Sequence, residues 1–417
     1  RGLGDVYKRQ MIMTDNNENK VLNVPHLRFP EFSGEWEIYP LTDFMSFKNG
    51  MNPDAKRFGR GTKFISVMDI LNNQFICYDN IRASVEVVDG DIETYGVNYG
   101  DILFQRSSET LEDVGQANVY LDSKPAVFGG FVIRGKSKSN YYPMFFRYLL
   151  ASPTARKKII VKGAGAQHFN IGQDGLSKVC LNIPSIQEQE KIAKLFECID
   201  TRIATQNKII EDLKKLKSAI SQHLFSQEPN VWNRLDNLFV KGKAGGTPIS
   251  TNKEYYNGNI PFLSINDITR QGKYIWLTEK HISLNGLENS SAWIVPKHSL
   301  IMSMYASVGL VTINQVPIAT SQAMFSMLLR DKSLLDYLYY YLSYFKYRHI
   351  HKYLETGTQS NINADIVSGI MIPDYGYRHN MQIASMLQSI DMKIDNESSI
   401  LERYSQQKND LLSSLFI

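Results

Sequence analysis

A long helical pattern that occurs twice constrains this 417-residue chain more than any other feature. The first copy follows Ile183-Pro184 and continues to Leu224-Phe225, and the second follows Ile372-Pro373 and continues to Leu415-Phe416. Proline cannot continue a strand ladder and disfavours a helical conformation in the residue before it, so each Ile-Pro marks the end of a strand. Stretches of about 40 residues without proline or glycine then follow, as a long helix requires.

The apolar residues of both stretches follow a heptad spacing, in steps that alternate between four and three. The same eight positions are apolar in both copies, which are offset by 191 residues. A heptad seam of this length predicts that two long helices, residues 186–227 and 376–417, pair as a coiled coil. The alternative is two amphipathic helices that each pack on their own globular domain. The predicted seam consists of Ile192, Phe196, Ile199, Ile203, Ile210, Leu213, Ile220, Leu224, Ile383, Leu387, Ile390, Ile394, Leu401, Tyr404, Leu411 and Leu415.

Two positions of the heptad are polar in both copies, Gln206 with Glu397 and Lys217 with Lys408. Polar seam residues set the register of a coiled coil at a cost in stability, so we expect these positions to act as register marks. A chain that runs globule, helix, globule, helix can pair its helices only if the second runs back along the first. The pattern therefore predicts antiparallel helices and a pseudo-twofold internal repeat.

The repeat extends into the globular parts, at residues 21–185 and 228–375. Phe64–Ile70 matches Phe262–Ile268, and we predict that both runs are strands. Tyr148-Leu149 parallels Tyr341-Leu342. The fold class predicted is mixed α/β, with two similar globular domains separated by the two helices. Residues 1–20 have no counterpart in the repeat and are expected to be an extension outside the fold.

The composition is that of an ordinary globular protein, with 43% hydrophobic and 21% charged residues. A net charge of +4 permits a nucleic-acid partner without demanding one. No apolar run approaches the roughly 18 residues needed to span a bilayer, and no signal-peptide pattern is present, so we expect a cytoplasmic protein. The three cysteines match no zinc or redox spacing and are predicted to be buried or half-buried free thiols.

No catalytic constellation is evident. The sequence lacks a glycine-rich strand-to-helix turn for AdoMet or a dinucleotide, a Walker lysine and clustered carboxylates with a lysine. We therefore expect a non-catalytic chain that binds no metal or cofactor itself. An enzyme with an unrecognised site, and a structural adaptor whose globular domains bind other proteins, remain the alternatives.

Polar and basic residues on loops are the candidate functional groups. Glycine lets backbone amides approach a phosphate, lysine and hydroxyl groups supply donors, and Gln and Arg can pair with adenine and guanine edges. A basic stretch can also be a solvated face, and a glycine loop an ordinary turn. The candidate DNA-binding residues are Lys56, Arg57, Arg60, Lys63, Gln105, Arg106, Ser107, Arg156, Lys157, Lys158, Lys162, Gln167 and Asn170 in the first half, and Lys243, Thr247, Ser250, Asn252, Lys253, Ser303, Tyr305, Ser307, Lys346, Arg348, Lys352, Gln359 and Asn361 in the second.

Several motifs together resemble the specificity subunits of type I restriction–modification systems. The motif Ile-Pro-x-x-x-Glu-Gln-x-x-Ile-Ala begins at Ile183. The second copy keeps Ile372-Pro373 and the run Gln382-Ile383-Ala384, but it departs from the pattern at the position of Glu188. The run Pro25–Trp36 and the segment from Gly246-Thr247-Pro248 to Phe262 are similar to the starts of the two domains in that family. The resemblance covers essentially residues 21–417.

The resemblance implies a DNA-reading subunit with two target-recognition domains, each reading one half of an asymmetric, split site in double-stranded DNA. It also implies partner subunits. Two methyltransferase subunits would supply adenine methylation with AdoMet, and restriction subunits would supply ATP- and Mg-dependent translocation and cleavage. No membrane partner is expected.

Overall fold

The computed structural model describes residues 22–165, 167–353 and 361–417. The chain divides into two compact units. The first comprises the residues up to Thr205 together with Leu401–Ile417, and the second comprises Gln206–Ile400. Each unit combines a mixed α/β domain with part of both long helices. Among the described residues, no helix has both the length and the apolar character needed to cross a membrane.

The first unit contains short strands and helices followed by one long helix. Its strands are β1 (Glu37–Pro40), β2 (Met45–Asn49), β3 (Phe58–Ile65), β4 (Ala83–Val85), β5 (Ile102–Gln105), β6 (Ser107–Ser108), β7 (Ala117–Val119), β8 (Val127–Phe128), β9 (Val132–Ser137), β10 (Phe169–Asn170) and β11 (Cys180–Ile183). Its helices are α1 (Val67–Asn72), α2 (Asp91–Tyr95), α3 (Pro143–Ala151), α4 (Pro153–Ile160), α5 (Gln173–Ser177) and the start of α6 (Ile186–Phe225).

The first domain is built on an antiparallel sheet in the order β2-β9-β5-β7 and a sheet in the order β4-β3-β8, where β3 and β8 are parallel. The last strand, β11, pairs antiparallel with the first strand, β1, in the register Glu37↔Ile183. The pairing closes the domain immediately before α6. It therefore fixes the start of the long helix to the domain that precedes it.

The second unit repeats this plan after α6 ends. Its strands are β12 (Val231–Arg234), β13 (Phe239–Ala244), β14 (Ile260–Leu263), β15 (Tyr274–Ile275), β16 (Lys280–Ile282), β17 (Ile294–Val295), β18 (Leu300–Ser303), β19 (Val311–Asn314), β20 (Ile318–Thr320), β21 (Met324–Leu329) and β22 (Met371–Asp374). Its helices are α7 (Ile265–Gln271), α8 (Leu284–Glu288), α9 (Leu335–Arg348), α10 (Ala364–Ser368) and the start of α11 (Tyr377–Ser414).

The second domain has sheets in the orders β13-β21-β18-β19-β15 and β16-β14-β20-β17. Its closing strand β22 pairs antiparallel with its first strand β12, in the register Val231↔Asp374, before α11 begins. The long helix of each repeat is thus attached to its own domain in the same way.

The matched runs Phe64–Ile70 and Phe262–Ile268 are not strands throughout, and this prediction is corrected. Each is a strand that ends in a serine and then a helix, because Ser66 and Ser264 are N-caps of capping boxes with Asp69 and Asp267. The serine hydroxyl and the aspartate satisfy helix N–H groups that would otherwise lack partners.

In the first unit, the start of α6 packs antiparallel against the end of α11. Asp200 forms an ion pair with Lys408 at 2.6 Å, and the Phe196 and Phe416 rings stack with centroids 5.8 Å apart. The Tyr148 hydroxyl donates to the other oxygen of Asp200 at 2.8 Å. These contacts attach both helix segments to α3 of the domain.

In the second unit, the end of α6 packs antiparallel against the start of α11. Lys217 forms an ion pair with Asp391 at 2.5 Å, and the Tyr340 hydroxyl donates to Asp391 at 2.8 Å. These residues are the repeat equivalents of Lys408, Asp200 and Tyr148. The alignment of Tyr148 with Tyr341 is therefore off by one residue, since Tyr340 makes the matching contact.

The polar heptad positions behave in two ways. Gln206 donates through Nε2 to the Glu397 carbonyl oxygen at 3.0 Å, so this pair meets as expected. Lys217 and Lys408 do not meet each other, because each pairs with an aspartate of the opposite helix. The sixteen predicted seam residues are all buried or half-buried. Cys77 is half-buried, but Cys180 and Cys198 are exposed, which corrects the expectation for these two thiols.

Candidate nucleic-acid interface

Three segments of the first domain meet where β5 ends. Strand β6, which follows Arg106, pairs with β10 in the register Ser107↔Asn170. The Ile171 N–H donates to the Arg106 carbonyl at 2.9 Å, and the Ala164 N–H donates to the Asn170 carbonyl at 2.9 Å. The structure therefore brings the predicted residues Arg106, Ser107 and Asn170 together on one loop cluster, with exposed Gln167 on the same loop.

Arg106 is partly exposed and held by the turn that joins β8 to β9. Its backbone N–H donates to the Phe131 carbonyl at 2.9 Å, and its Nη1 donates to the Gly130 carbonyl at 3.2 Å. The backbone bond holds the residue against the turn, and the Nη1 bond directs its side chain along it. Gln105, in contrast, is only 5% exposed and donates to the Ser107 carbonyl, so it shapes the loop and does not face a ligand, which corrects its prediction.

The basic stretch of the first domain divides into structural and exposed residues. Arg156 donates to the Val114 carbonyl at 2.6 Å and to the Glu112 carbonyl at 2.8 Å, and burial lowers its pKa. It fixes the loop 112–114, and its predicted contact with DNA stays a prediction. Lys157 and Lys162 are exposed and Lys158 is half-buried, so these ammonium groups remain available.

Two of the four basic residues predicted before and within β3 form ion pairs with acidic neighbours. Arg57 forms an ion pair with Asp91, and the Val88 N–H and this guanidinium both lower the pKa of that carboxyl, although burial opposes them. Arg60 pairs with Glu86 at 2.8 Å on the surface, and Lys63 donates to the Ile81 carbonyl at 2.7 Å. Lys56 is exposed. Asp91 and Glu86 therefore compensate two of the four positive charges predicted here.

The second domain forms the equivalent loop cluster after β18. The Ile362 N–H donates to the Met304 carbonyl at 3.1 Å, as Ile171 does to Arg106. Tyr305 and Ser307 are exposed on this loop, and Ala306 between them has a left-handed backbone with φ of 59°. Ser303 is fully buried and donates to the Ser307 carbonyl at 2.6 Å. The DNA contact predicted for Ser303 is therefore corrected to a role in shaping the loop.

The remaining candidates of the second domain lie on its surface around this loop and β13. The Lys346 stem packs against Gly309 at the loop, and burial lowers the pKa of its ammonium. Arg348 is exposed and donates to Gln222, while Lys352 is exposed and Asn361 is half-buried. Thr247 donates to Gln322. Lys243, Ser250 and Lys253 are exposed, Asn252 accepts from the Glu254 N–H, and Gln359 lies outside the described residues.

Sequence reasoning missed two exposed aromatic residues beside these clusters. Phe131 is 69% exposed next to Arg106, and Tyr347 is 78% exposed with the Lys346 ammonium 5.3 Å from its ring centroid. Both were missed because an aromatic residue between two strands, such as Phe131, or in an aromatic-rich helix, such as Tyr347, is normally predicted to be buried in the core. Among the described residues, no group of three or more His, Cys, Asp and Glu side chains is placed to hold a metal.

Comparison with known proteins identifies the repeat. A family model described as the type I restriction modification DNA specificity domain matches twice, at residues 33–215 and 229–403. The MjaVIII specificity subunit of a type I restriction enzyme from Methanocaldococcus jannaschii is 21% identical, with 97% of each chain covered. The HindI specificity subunit from Haemophilus influenzae is 23% identical over 74% of this chain and 83% of its own length.

The fold has the same relatives. A solved structure from work on complex assembly and conformational transition of the type I R-M system covers 90% of this chain and 96% of its own, with a TM-score of 0.59 and 13% identity. The two family matches together span most of the chain and favour DNA recognition over the adaptor alternative. The chain belongs to the type I restriction–modification DNA specificity family, and it is a specificity subunit.

Proposed function

We propose that this subunit reads an asymmetric, bipartite sequence in double-stranded DNA, with one half-site for each domain. The observation that carries the proposal is the repeated loop cluster with different side chains in its two copies. Arg106 and Ser107 occupy the positions that Met304 and Tyr305 occupy in the second domain. Equivalent backbones with different side chains are expected to bind DNA in the same way and to read different bases.

The two long helices are proposed to form an antiparallel coiled coil that relates the repeats by a pseudo-twofold axis and acts as a spacer. The matched ion pairs Lys408–Asp200 and Lys217–Asp391 support this arrangement, because each takes its lysine from one helix and its aspartate from the other. Two DNA-binding domains attached to one pair of helices would bind half-sites at a fixed separation.

Partner subunits are proposed to supply the chemistry. Two methyltransferase subunits would methylate adenine with AdoMet, and restriction subunits would use ATP and Mg for translocation and cleavage. This chain directs them to the site in the cytoplasm and holds none of these cofactors. The helices are the proposed surface for the methyltransferase subunits.

The proposal is tested by selecting sequences from random DNA with the assembled complex of this subunit and its methyltransferase. Wild type should enrich two different half-sites at a constant gap. Arg106→Ala should relax one or more positions of a single half-site, since a good Arg–guanine pair contributes about 1–3 kcal/mol of discrimination. Tyr305→Ala is the reciprocal control and should affect the other half-site.

Three outcomes would contradict parts of this proposal. Enrichment of a perfect palindrome would mean that the two domains read alike. If Arg106→Ala weakens DNA binding equally on every sequence, Arg106 contacts a phosphate and not a base. Methylation by the purified subunit without partners would overturn its non-catalytic role.

A further inference from the structure

The turn between β8 and β9 presents an apolar side chain beside Arg106. Phe131 is 69% exposed, whereas Phe104, Phe128 and Phe145 of the same domain are fully buried. A single exposed apolar residue needs no special explanation. The position of Phe131 on a fixed turn in the proposed reading cluster does need one.

Hydrogen bonds and close packing hold the turn rigidly. The Val132 N–H donates to the Gly129 carbonyl at 2.9 Å, and the Gly129 N–H donates to the Ile65 carbonyl at 3.1 Å. A Cβ on Gly130 would lie 2.0 Å from Asn52 Oδ1, and one on Gly129 would lie 2.6 Å from the Phe64 ring. The backbone on both sides of the turn therefore leaves Phe131 little freedom other than its own side-chain torsions.

The second domain has the same turn with different side chains at its tip. The Met324 N–H donates to the Ser321 carbonyl at 3.1 Å, and the Met304 N–H donates to the Ala323 carbonyl at 2.7 Å. These bonds match those of Val132 to Gly129 and of Arg106 to Phe131. The backbone is thus shared by both domains, while alanine replaces the phenylalanine. A turn that contacts bases is expected to keep the same backbone in both domains and to carry different side chains in each.

We propose that Phe131 is a specificity-determining residue that contacts the 5-methyl group of a thymine next to the base read by Arg106. The thymine methyl is the apolar group that the major groove presents, and Phe is among the side chains that contact it. Hydrogen-bonded neighbours such as Arg106 and Phe131 have Cβ atoms about 5 Å apart, and bases on one strand are about 3.4 Å apart. The two side chains therefore reach the same or neighbouring base pairs. The inference rests on the proposed DNA-reading function.

The test uses the assembled complex of subunit and methyltransferase, and DNA that carries its selected site. Each thymine of the site is replaced singly by deoxyuridine, which removes only the methyl group. Wild type should bind about fourfold more weakly at one thymine of the half-site affected by Arg106→Ala, as expected for one buried methyl group. Phe131→Ala should bind the thymine and deoxyuridine probes equally.

Tyr99→Ala is the matched control, because Tyr99 is 63% exposed in the same unit and lies outside the loop cluster. It should retain the deoxyuridine effect. Phe131→Ala should also unfold at the same temperature as wild type, since its side chain is mostly in water.

The inference is overturned if wild type binds all deoxyuridine probes equally, or if Phe131→Ala keeps the effect. A second probe carries 2-aminopurine in place of an adenine of the same half-site. A rise in its fluorescence without a methyl effect would show that Phe131 inserts between base pairs, and this result would also overturn the inference. Failure to select any split site would instead overturn the proposed function itself.

Discussion

Phe416, which follows α11, is part of the core of the first domain. Its ring is 2% exposed and lies 5.6 Å from Phe145, 5.8 Å from Phe196 and 6.5 Å from Trp36, measured between centroids. Replacing this ring with alanine leaves a cavity among three aromatic rings. We therefore expect Phe416→Ala to cost about 3–5 kcal/mol in the free energy of unfolding.

Trp36 allows the effect to be measured in the first unit alone. The chain has four tryptophans, and the other three, Trp232, Trp276 and Trp293, lie in the second unit. With these three changed to phenylalanine, tryptophan fluorescence in urea reports the unfolding around Trp36. For a slope of about 2 kcal/mol/M, the midpoint should fall by roughly 1.5–2.5 M.

The matched control is Phe225→Ala, 191 residues earlier, where the ring packs against Tyr337, Tyr341 and Tyr344 in the second unit. It should leave the Trp36 transition close to that of the parent. A change below about 1 kcal/mol for Phe416→Ala would refute the reasoning. It would mean that residues 401–417 are not part of the core of the first domain.

Three further predictions concern the helices and their neighbours. Asp200→Ala should destabilise the first unit by about 2–3 kcal/mol because it leaves the Tyr148 hydroxyl without its acceptor, and Asp200→Asn should cost less in the same urea assay. Burial lowers the pKa of Lys273 below its ordinary value of 10.5, so the unfolded chain binds the ammonium proton more tightly than the folded chain does. The free energy of unfolding should therefore rise as pH increases from the lowered pKa toward 10.5. Lys273→Met should lose that rise in the alkaline range below pH 10.5, and an unchanged pH dependence would contradict the assignment. Removing one heptad from each long helix should shorten the selected gap by about three base pairs without changing either half-site, and an unchanged gap would end the spacer proposal.

The long helices could be predicted from the sequence because their signal is periodic and local. The start of α6 at Ile186 follows directly from Ile183-Pro184, and the apolar heptad positions are buried or half-buried. The register was predicted only in part. In an antiparallel pair, only the residue near the midpoint faces its own repeat equivalent, as Gln206 does with Glu397. Lys217 and Lys408 lie away from that point, so each meets an aspartate instead.

The candidate site was less predictable, because the residue type alone does not show whether a basic or polar side chain stabilises the fold or binds a ligand. Arg156 donates to carbonyl groups more than 40 residues away in sequence, and the residues near Arg156 give no indication of these acceptors. Ser303 is hidden because the loop after β18 folds back over it. Phe131 was missed for the opposite reason, since a glycine-rich turn holds an apolar side chain in water.

The first unit consists of two segments that are far apart in sequence, and this sets the order in which the chain can finish folding. The second unit is one continuous segment, Gln206–Ile400, whereas the first needs Leu401–Ile417 to cover Trp36, Phe145 and Phe196. At roughly 5–20 residues per second, the intervening segment of about 200 residues takes on the order of 10–40 s to synthesise. During that time the aromatic core of the first domain lacks part of its cover and is open to misassembly or to a chaperone. The domain that leaves the ribosome first is thus the last to be completed.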